Sequence, residues 1–437
     1  MNNTIERIES EVRSYCRAFP TVFTRAEGAS LHDEKGRSYI DFFAGAGTLN
    51  YGHNHPLLKE RLLKYIADGG ITHGLDMATS AKVEFLDAFE KHILLPRDLN
   101  YKVMFPGPTG TNAVEAAIKL ARKVTGRPNV AAFTNGFHGM TLGSLALTGN
   151  ASKREGAGLS LGNVTRLPFE GFHGPDVDTI DIIDSYLSDP SSGVDAPAAF
   201  IVETVQGEGG INVARNRWLR RLSKLARAHG ALFIVDDIQM GCGRTGSFFS
   251  FEEAGIEPDI VCLSKSISGY GLPFALTLFR PELDVWSPGE HNGTFRGNNL
   301  AFVTGTATIE HFWSDDTLMS EVEVKSTMVQ RTLRSIAERF GGRLRGRGFV
   351  YGIAFDDHHV AGAAASAAFE QGLLVETSGS HGEVLKFLAS LTITDAELGA
   401  GLSILESSVA VAMGQGEKGR PARVPVTRTD SPVEARL

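Results

Sequence analysis

Between about Ala198 and Arg280 the sequence alternates short apolar runs with one amphipathic stretch, and no other segment restricts the fold so tightly. Ala198-Ala-Phe-Ile-Val-Glu203 has the length and composition of a buried strand. Asn216 to His229 then places Trp218, Leu222, Leu225 and Ala226 at helical spacing, with Gly230 positioned to end the helix. Ala231-Leu-Phe-Ile-Val-Asp236 is a second buried strand. A strand, a helix and a strand of this size make a parallel crossover unit, since parallel neighbours cannot be joined by a tight turn. Asp259-Ile-Val-Cys-Leu-Ser-Lys265 and Phe274-Ala-Leu-Thr-Leu-Phe279 read as further strands of the same sheet, and Asn129 to Thr134 as another. The expected fold class is α/β, with a large, mostly parallel sheet domain flanked by helices over residues 70–320. A smaller α+β domain is expected from both termini, residues 1–69 and 321–413. Residues 414–437, dominated by Pro, Gly, Arg, Glu and Thr, read as a flexible tail.

Ligands of such sheets bind beyond the carboxyl ends of the strands, so the residues there matter most. Lys265 closes an apolar strand; it is either an edge lysine reaching solvent or a desolvated amine able to form a Schiff base with an aldehyde. Asp236 and Asp237 are adjacent carboxylates at another strand end, and alternation turns them to opposite faces. They are either solvated loop aspartates or one carboxylate seeking a cationic partner in a cleft. Gly107-Pro-Thr-Gly-Thr-Asn112 runs into a helix whose Val114, Ala117, Ile118 and Ala121 share a face. Its start is either a plain capping box of Asn112 with Glu115 or an anion site prepared by free amides and the helix dipole. Gly136-Phe-His-Gly139 offers Phe137 as a stacking surface or as turn packing, and His138 as a hydrogen-bonded turn histidine. Glu203-Thr-Val-Gln-Gly-Glu-Gly-Gly210 is a glycine-rich strand exit with two acids. Gly241-Cys-Gly-Arg-Thr-Gly246 matches the dinucleotide fingerprint by letter, but no strand ends at its first glycine and Ser247-Phe-Phe-Ser-Phe251 is a poor helix start, so that reading is rejected.

Charge and cysteine content remove other classes. Basic residues number 43 and acidic ones 51, a net charge of −8 with no cationic block, which argues against nucleic acid or an anionic membrane as partner. Cys16, Cys242 and Cys262 lack the spacing of a disulfide framework or a zinc site, and no metal site is expected. The polar N-terminus and the absence of a membrane-length apolar run point to the cytoplasm.

The strand-end signals converge on one ligand carrying an aldehyde, a phosphate, a flat ring and a cationic ring nitrogen: pyridoxal 5'-phosphate. Here the sequence resembles the class III (omega) aminotransferases of fold type I. The resemblance rests on Val235 to Gly246, then Pro258 to Lys265, with Lys265 lying 29 positions after Asp236. Gly-Phe-His-Gly at 136–139, Glu203 to Gly210 and His291-Asn-Gly-Thr-Phe-Arg-Gly-Asn298 follow in the family's order. Within the family, Phe42 to Pro56, Thr72 to Met77, Gly107 to Asn112 and Ser268 to Pro273 are most similar to the branch that exchanges an amino group between L-glutamate/2-oxoglutarate and aspartate 4-semialdehyde/L-2,4-diaminobutyrate, in ectoine biosynthesis. The resemblance implies that Lys265 holds the cofactor and shuttles the proton, and that Asp236 pairs with the ring nitrogen. By the same likeness, Phe137 stacks on the ring beside His138 and Gln239 reaches its phenolic oxygen. Gly110 and Thr111 cradle the phosphate, joined by Thr294 of a neighbouring subunit. A homodimer or dimer of dimers with shared active sites follows.

Departures from the family bear on the substrate. Met140 stands where many relatives carry arginine, and Lys386 lies near the position of an arginine that binds substrate carboxylate; lysine lacks the bidentate fork. Acetylornithine and ornithine specificities lose ground accordingly; they stay as alternatives beside a GABA-type omega-aminotransferase and an aminomutase or racemase on the same cofactor. Arg296, where relatives usually carry glycine, is a candidate carboxylate contact from across the dimer. Glu208 is the candidate gate that pairs with a cation in one half-reaction and releases it in the other.

Overall fold

The computed structural model describes residues 3–415; the tail expected over 414–437 lies almost wholly outside the described residues. Seven strands form the central sheet: β1 (Lys102–Met104), β2 (Val130–Phe133), β3 (Val164–Leu167), β4 (Ala199–Val202), β5 (Leu232–Asp236), β6 (Ile260–Leu263) and β7 (Leu276–Phe279). Their order is β1-β7-β6-β5-β4-β2-β3. β5 is parallel to both β4 and β6, and β2 to both β3 and β4, whereas β7 runs antiparallel to its two neighbours. The sheet is therefore mostly parallel, as the alternating pattern required, and the apolar run at 274–279 belongs to it in reverse direction.

Helices cover both faces, and strand alternation decides what meets which. Ile201, Ile234, Ile260 and Cys262 pack with Ala113, Ala117, Ile118 and Ala121 of α1 (Gly110–Thr125). Phe200, Val202, Phe233, Val235 and Val261 point the other way, toward Trp218, Leu219 and Leu222 of α2 (Asn216–Ala228). Small alanines on α1 let that helix approach the sheet closely, while α2 fills its face with larger groups. Burying a Leu or Phe side chain contributes about 1.5–3 kcal/mol, so these two layers hold the strand ends rigidly.

Residues from both ends of the chain share smaller sheets. Strands Phe23–Glu27, Ser30–Asp33 and Ser38–Asp41 are antiparallel, and Leu373–Leu374 adds to them in parallel. Another sheet comprises β8 (Arg343–Arg347), β9 (Val350–Ala354), β10 (Glu376–Ser378) and β11 (Val384–Phe387), in the order β8-β9-β11-β10. Arg244, fully buried, binds the segments together: its guanidinium donates to the carbonyls of Phe349 (3.0 Å) and Ala389 (2.6 Å) and to Asn50. The Gly241–Gly246 stretch is thus a turn anchored by a buried cation, with no helix starting there. Among the described residues no helix is long and apolar enough to cross a membrane.

Candidate active site

The alternation that builds the core also aims the strand-end side chains. On β5, Leu232 and Ile234 face α1, so Asp236 continues on that side while Asp237 turns to the other. Asp237 is buried, accepts the Ser250 N–H (3.0 Å), and is pushed up to about 7 by burial. Asp236 instead meets His138, whose Nδ1 lies 2.7 Å from its Oδ2. Both side chains are almost fully enclosed. Burial alone would depress the imidazole, but the hydrogen bond and charge of Asp236 outweigh it and raise its pKa. On β4, Ala199 and Ile201 face α1, and Glu203 follows them to the same side.

Lys265 does not follow this rule. Strict alternation would send it to the face of Val261 and Leu263, but β6 ends at Leu263 and Lys265 adopts a φ of 53°. A left-handed non-glycine residue costs about 1–2 kcal/mol, and such strain persists only where surrounding structure enforces it. The turn brings the side chain to the same cleft as Asp236 and Glu203. Its Nζ donates to the Ala46 carbonyl at 2.8 Å. Burial depresses the amine, which favours its neutral, nucleophilic form; Glu208 opposes the shift.

Ala46 is itself strained. Ala44, Gly45, Ala46 and Gly47 are all left-handed, with φ of 46°, 57°, 55° and 83°. This run directs the Ala46 carbonyl to two donors at once, Lys265 Nζ and Gln239 Nε2, the latter at 3.0 Å.

The cleft has a volume of about 200 Å³ and opens to solvent. Gly110 and Thr111 line it at the start of α1, where first-turn amides have no partner within the helix. The cap differs from the expected one: Thr109 N–H and Oγ1 donate to Asn112 Oδ1 (3.1 and 2.8 Å), while Glu115 accepts from the Thr141 hydroxyl and the Ser144 N–H (2.6 and 3.1 Å). Phe137, His138, Asp236, Gln239, Glu208 and Lys265 line the rest. Glu203 anchors this wall, accepting from Phe137 N–H (2.9 Å) and Gly207 N–H (3.2 Å); burial pushes its carboxyl up to about 7, with His138 opposing.

Beyond Glu208 lies Lys386, fully buried on β11. Its Nζ sits 2.8 Å from Glu208 Oε1 and 2.8 Å from Glu376 Oε1. Glu208 also accepts from Gln239 Nε2 at 3.2 Å. Burial would raise the Glu208 carboxyl, but the lysine beside it wins and holds it at about 2. Glu376 is raised, burial outweighing the same lysine. Thr294 and Arg296 do not reach the cleft within one chain: Thr294 is exposed, and Arg296 lies 3.9 Å from Asp76 in a separate depression.

Sequence reading missed three participants. Ile238 lines the cleft where a Cβ on Gly110 would come within 3.0 Å of it. The Ala46 carbonyl is a backbone group, with only the alternation of small residues at 44–47 as a signal. Glu376 meets Lys386 through cross-strand register, which no local pattern records.

The sequence matches the family described as Aminotransferase class-III over residues 13–409. A diaminobutyrate–2-oxoglutarate transaminase of Bordetella parapertussis is 58% identical over 414 residues, covering 94% of this chain and 95% of its own. One of the same name from Nocardia farcinica is 60% identical over 408 residues, covering 93% and 94%. Among solved structures, the ornithine aminotransferase of Toxoplasma gondii, described with partial occupancy of PLP at its active site, is similar at a TM-score of 0.81 and 26% identity, covering 94% of each chain. A Bacillus anthracis aminotransferase shares the fold, with a TM-score of 0.81 at 22% identity over 93% of this chain and 97% of its own.

Proposed function

The chain belongs to the class III aminotransferases, and from that premise we propose that it is a pyridoxal-phosphate-dependent transaminase exchanging an amino group between L-glutamate/2-oxoglutarate and aspartate 4-semialdehyde/L-2,4-diaminobutyrate. One observation carries the reaction class: a single cleft unites a strained, desolvated lysine, a carboxylate braced by histidine, and the N-terminus of a sixteen-residue helix. Relatives 58–60% identical over more than nine-tenths of the chain support the substrate pair.

The residues fit the cofactor. Amine, carboxylate and amide-rich helix start correspond to its aldehyde, ring nitrogen and phosphate, and Gln239 Oε1 is a buried polar atom still without a partner. When bound, the group supplies an aldehyde that takes up amino groups and a ring that draws electrons from the substrate carbon. Lys265 would hold it and, once displaced by substrate, move the proton at the reacting carbon. Asp236 would hold positive charge at the ring nitrogen, oriented by His138. Gly110 and Thr111 would receive the phosphate, Phe137 would cover the ring, and Gln239 would reach the phenolic oxygen. Thr294 and Arg296 would act from a neighbouring subunit, giving a cytoplasmic homodimer or dimer of dimers. The large sheet domain and the smaller domain from both termini would flank the cleft, and a place in ectoine biosynthesis follows from the same substrate pair.

Glutamate presents its α-amine and diaminobutyrate its distal amine to one pocket. Glu208 is read as the gate: it stays on Lys386 for the distal amine and yields to the α-carboxylate of glutamate. A panel of primary amines tests the function by the spectral conversion of bound aldehyde to amine form. Glutamate and diaminobutyrate should react well, ornithine and acetylornithine poorly. Fast reaction of ornithine with no reaction of diaminobutyrate would overturn the substrate assignment, and failure to release 2-oxoglutarate from glutamate the transaminase reading itself.

A further inference from the structure

Two carboxylates reach the ammonium of Lys386 by different routes. Glu376 comes from β10, directly opposite Lys386 in antiparallel register; on the other side of Lys386, β9 presents Gly352. Directly opposed side chains in such a pair stand side by side, so the contact is set by the sheet itself. Glu376 is buried. Glu208 arrives from the turn between the short strands Val205–Gln206 and Asn212–Val213, and its side chain keeps 26% of its surface exposed toward the cleft, against 0% for Lys386 and 7% for Glu376. The backbone under Glu208 is clamped: a Cβ at Gly207 would stand 1.8 Å from Gln239 Oε1 and one at Gly209 2.2 Å from the Asn135 carbonyl. Of the three side chains, that of Glu208 alone borders the open cleft.

A buried ammonium stripped of its last counter-charge is strongly unfavourable. Were Glu208 its sole partner, every departure would pass through that state before substrate arrived. We propose that Glu376 is a positioning residue, a fixed counter-charge that pins the Lys386 ammonium and keeps it neutralised while Glu208 is exchanged for the carboxylate of glutamate. The ammonium then keeps a carboxylate throughout, with Glu376 permanent and the second partner replaceable. Mutual repulsion between the two also loosens Glu208, which makes exchange fast. The same pinning compensates for the flexibility of lysine, which has no planar fork to fix its direction. This inference rests on the reading of Glu208 as the gate.

The test uses the holoenzyme in rapid-mixing experiments, following the bound aldehyde with glutamate and with diaminobutyrate separately. Glu376→Gln should slow the glutamate half-reaction at least tenfold relative to the diaminobutyrate one. Glu376→Asp, which keeps the charge but withdraws it, should show a smaller selective loss and serves if the glutamine variant fails to fold. In a Glu208→Gln background, where no carboxylate need be released, Glu376→Gln should add no further selective loss. Association of the unreactive dicarboxylate glutarate should slow in Glu376→Gln and not in the double variant, a readout independent of turnover. Equal slowing of both half-reactions, or of neither, while Glu208→Gln still shifts their balance, overturns the role of Glu376 alone. If Glu208→Gln leaves the balance unaltered, the gate fails and the role of Glu376 with it.

Discussion

Replacing Lys386 with methionine removes a charge while keeping the bulk of the side chain. Two carboxylates, one buried and one bordering the cleft, each 2.8 Å from the missing ammonium, would be left facing one another. Removing one member of a buried ion pair costs about 3–5 kcal/mol. A second route gives a similar figure: the displacement of the Glu208 carboxyl from 4.5 to about 2 corresponds to about 3 kcal/mol of stabilisation. The sign follows from proton counting. A depressed carboxylate stabilises in full above its unfolded value and loses that contribution only as pH falls toward the folded one, so the wild type keeps it between pH 5 and 8. In Lys386→Met the stranded carboxyls are raised instead, and the folded state binds more protons than the unfolded. Stability of the variant therefore falls as pH rises. The expected result is a loss of about 3–5 kcal/mol at pH 8, a lowering of the unfolding midpoint by roughly 6–20 °C at about 2–4 °C per kcal/mol. The gap should narrow toward pH 5.5. Paired thermal unfolding curves of the two holoenzymes at both pH values provide the measurement. A loss under about 1 kcal/mol at pH 8, the size typical of a solvent-exposed pair, or a gap that widens on acidification, would refute the reasoning.

Asp236→Asn keeps the shape but removes the charge beside His138. The half-reaction rate should fall by at least about a hundredfold. The His138 titration, followed by NMR, should move down, because the partner that raises it is gone; an unmoved midpoint would show that the 2.7 Å contact does not govern the imidazole. Gly207→Ala would place a Cβ 1.8 Å from Gln239 Oε1, so Gln239 must shift; turnover should drop by up to about a hundredfold with far-ultraviolet circular dichroism unchanged, and full activity would argue against any role for that amide. Arg296→Ala should raise the Michaelis constants for both amino donors, and unchanged constants would remove Arg296 from the site.

Much of this site was legible because its parts are local. Lys265, Asp236 and Glu203 could be located from the length of the apolar runs alone, since a buried strand ends where its apolar residues end. The start of α1 that lines the cleft was legible from small residues preceding an amphipathic face. The residue pairs were not: nothing in Glu203 to Gly210 shows which acid reaches into the cleft and which anchors the backbone of Phe137. His138 reads as a turn residue in sequence, yet it is the buried partner of Asp236, 98 positions away.

The chain by itself determined the mostly parallel sheet, the two helical layers and the set of residues that crowd the strand ends, because periodicity and strand length act over a few neighbouring residues. Tertiary structure alone decided which aspartate faces α1, how a left-handed φ swings Lys265 back into the cleft, and which carbonyl receives its amine. It also decided that Lys386 meets Glu376 across two strands and Glu208 across a turn. Such meetings depend on register and packing between distant segments, which take shape only when the whole core closes.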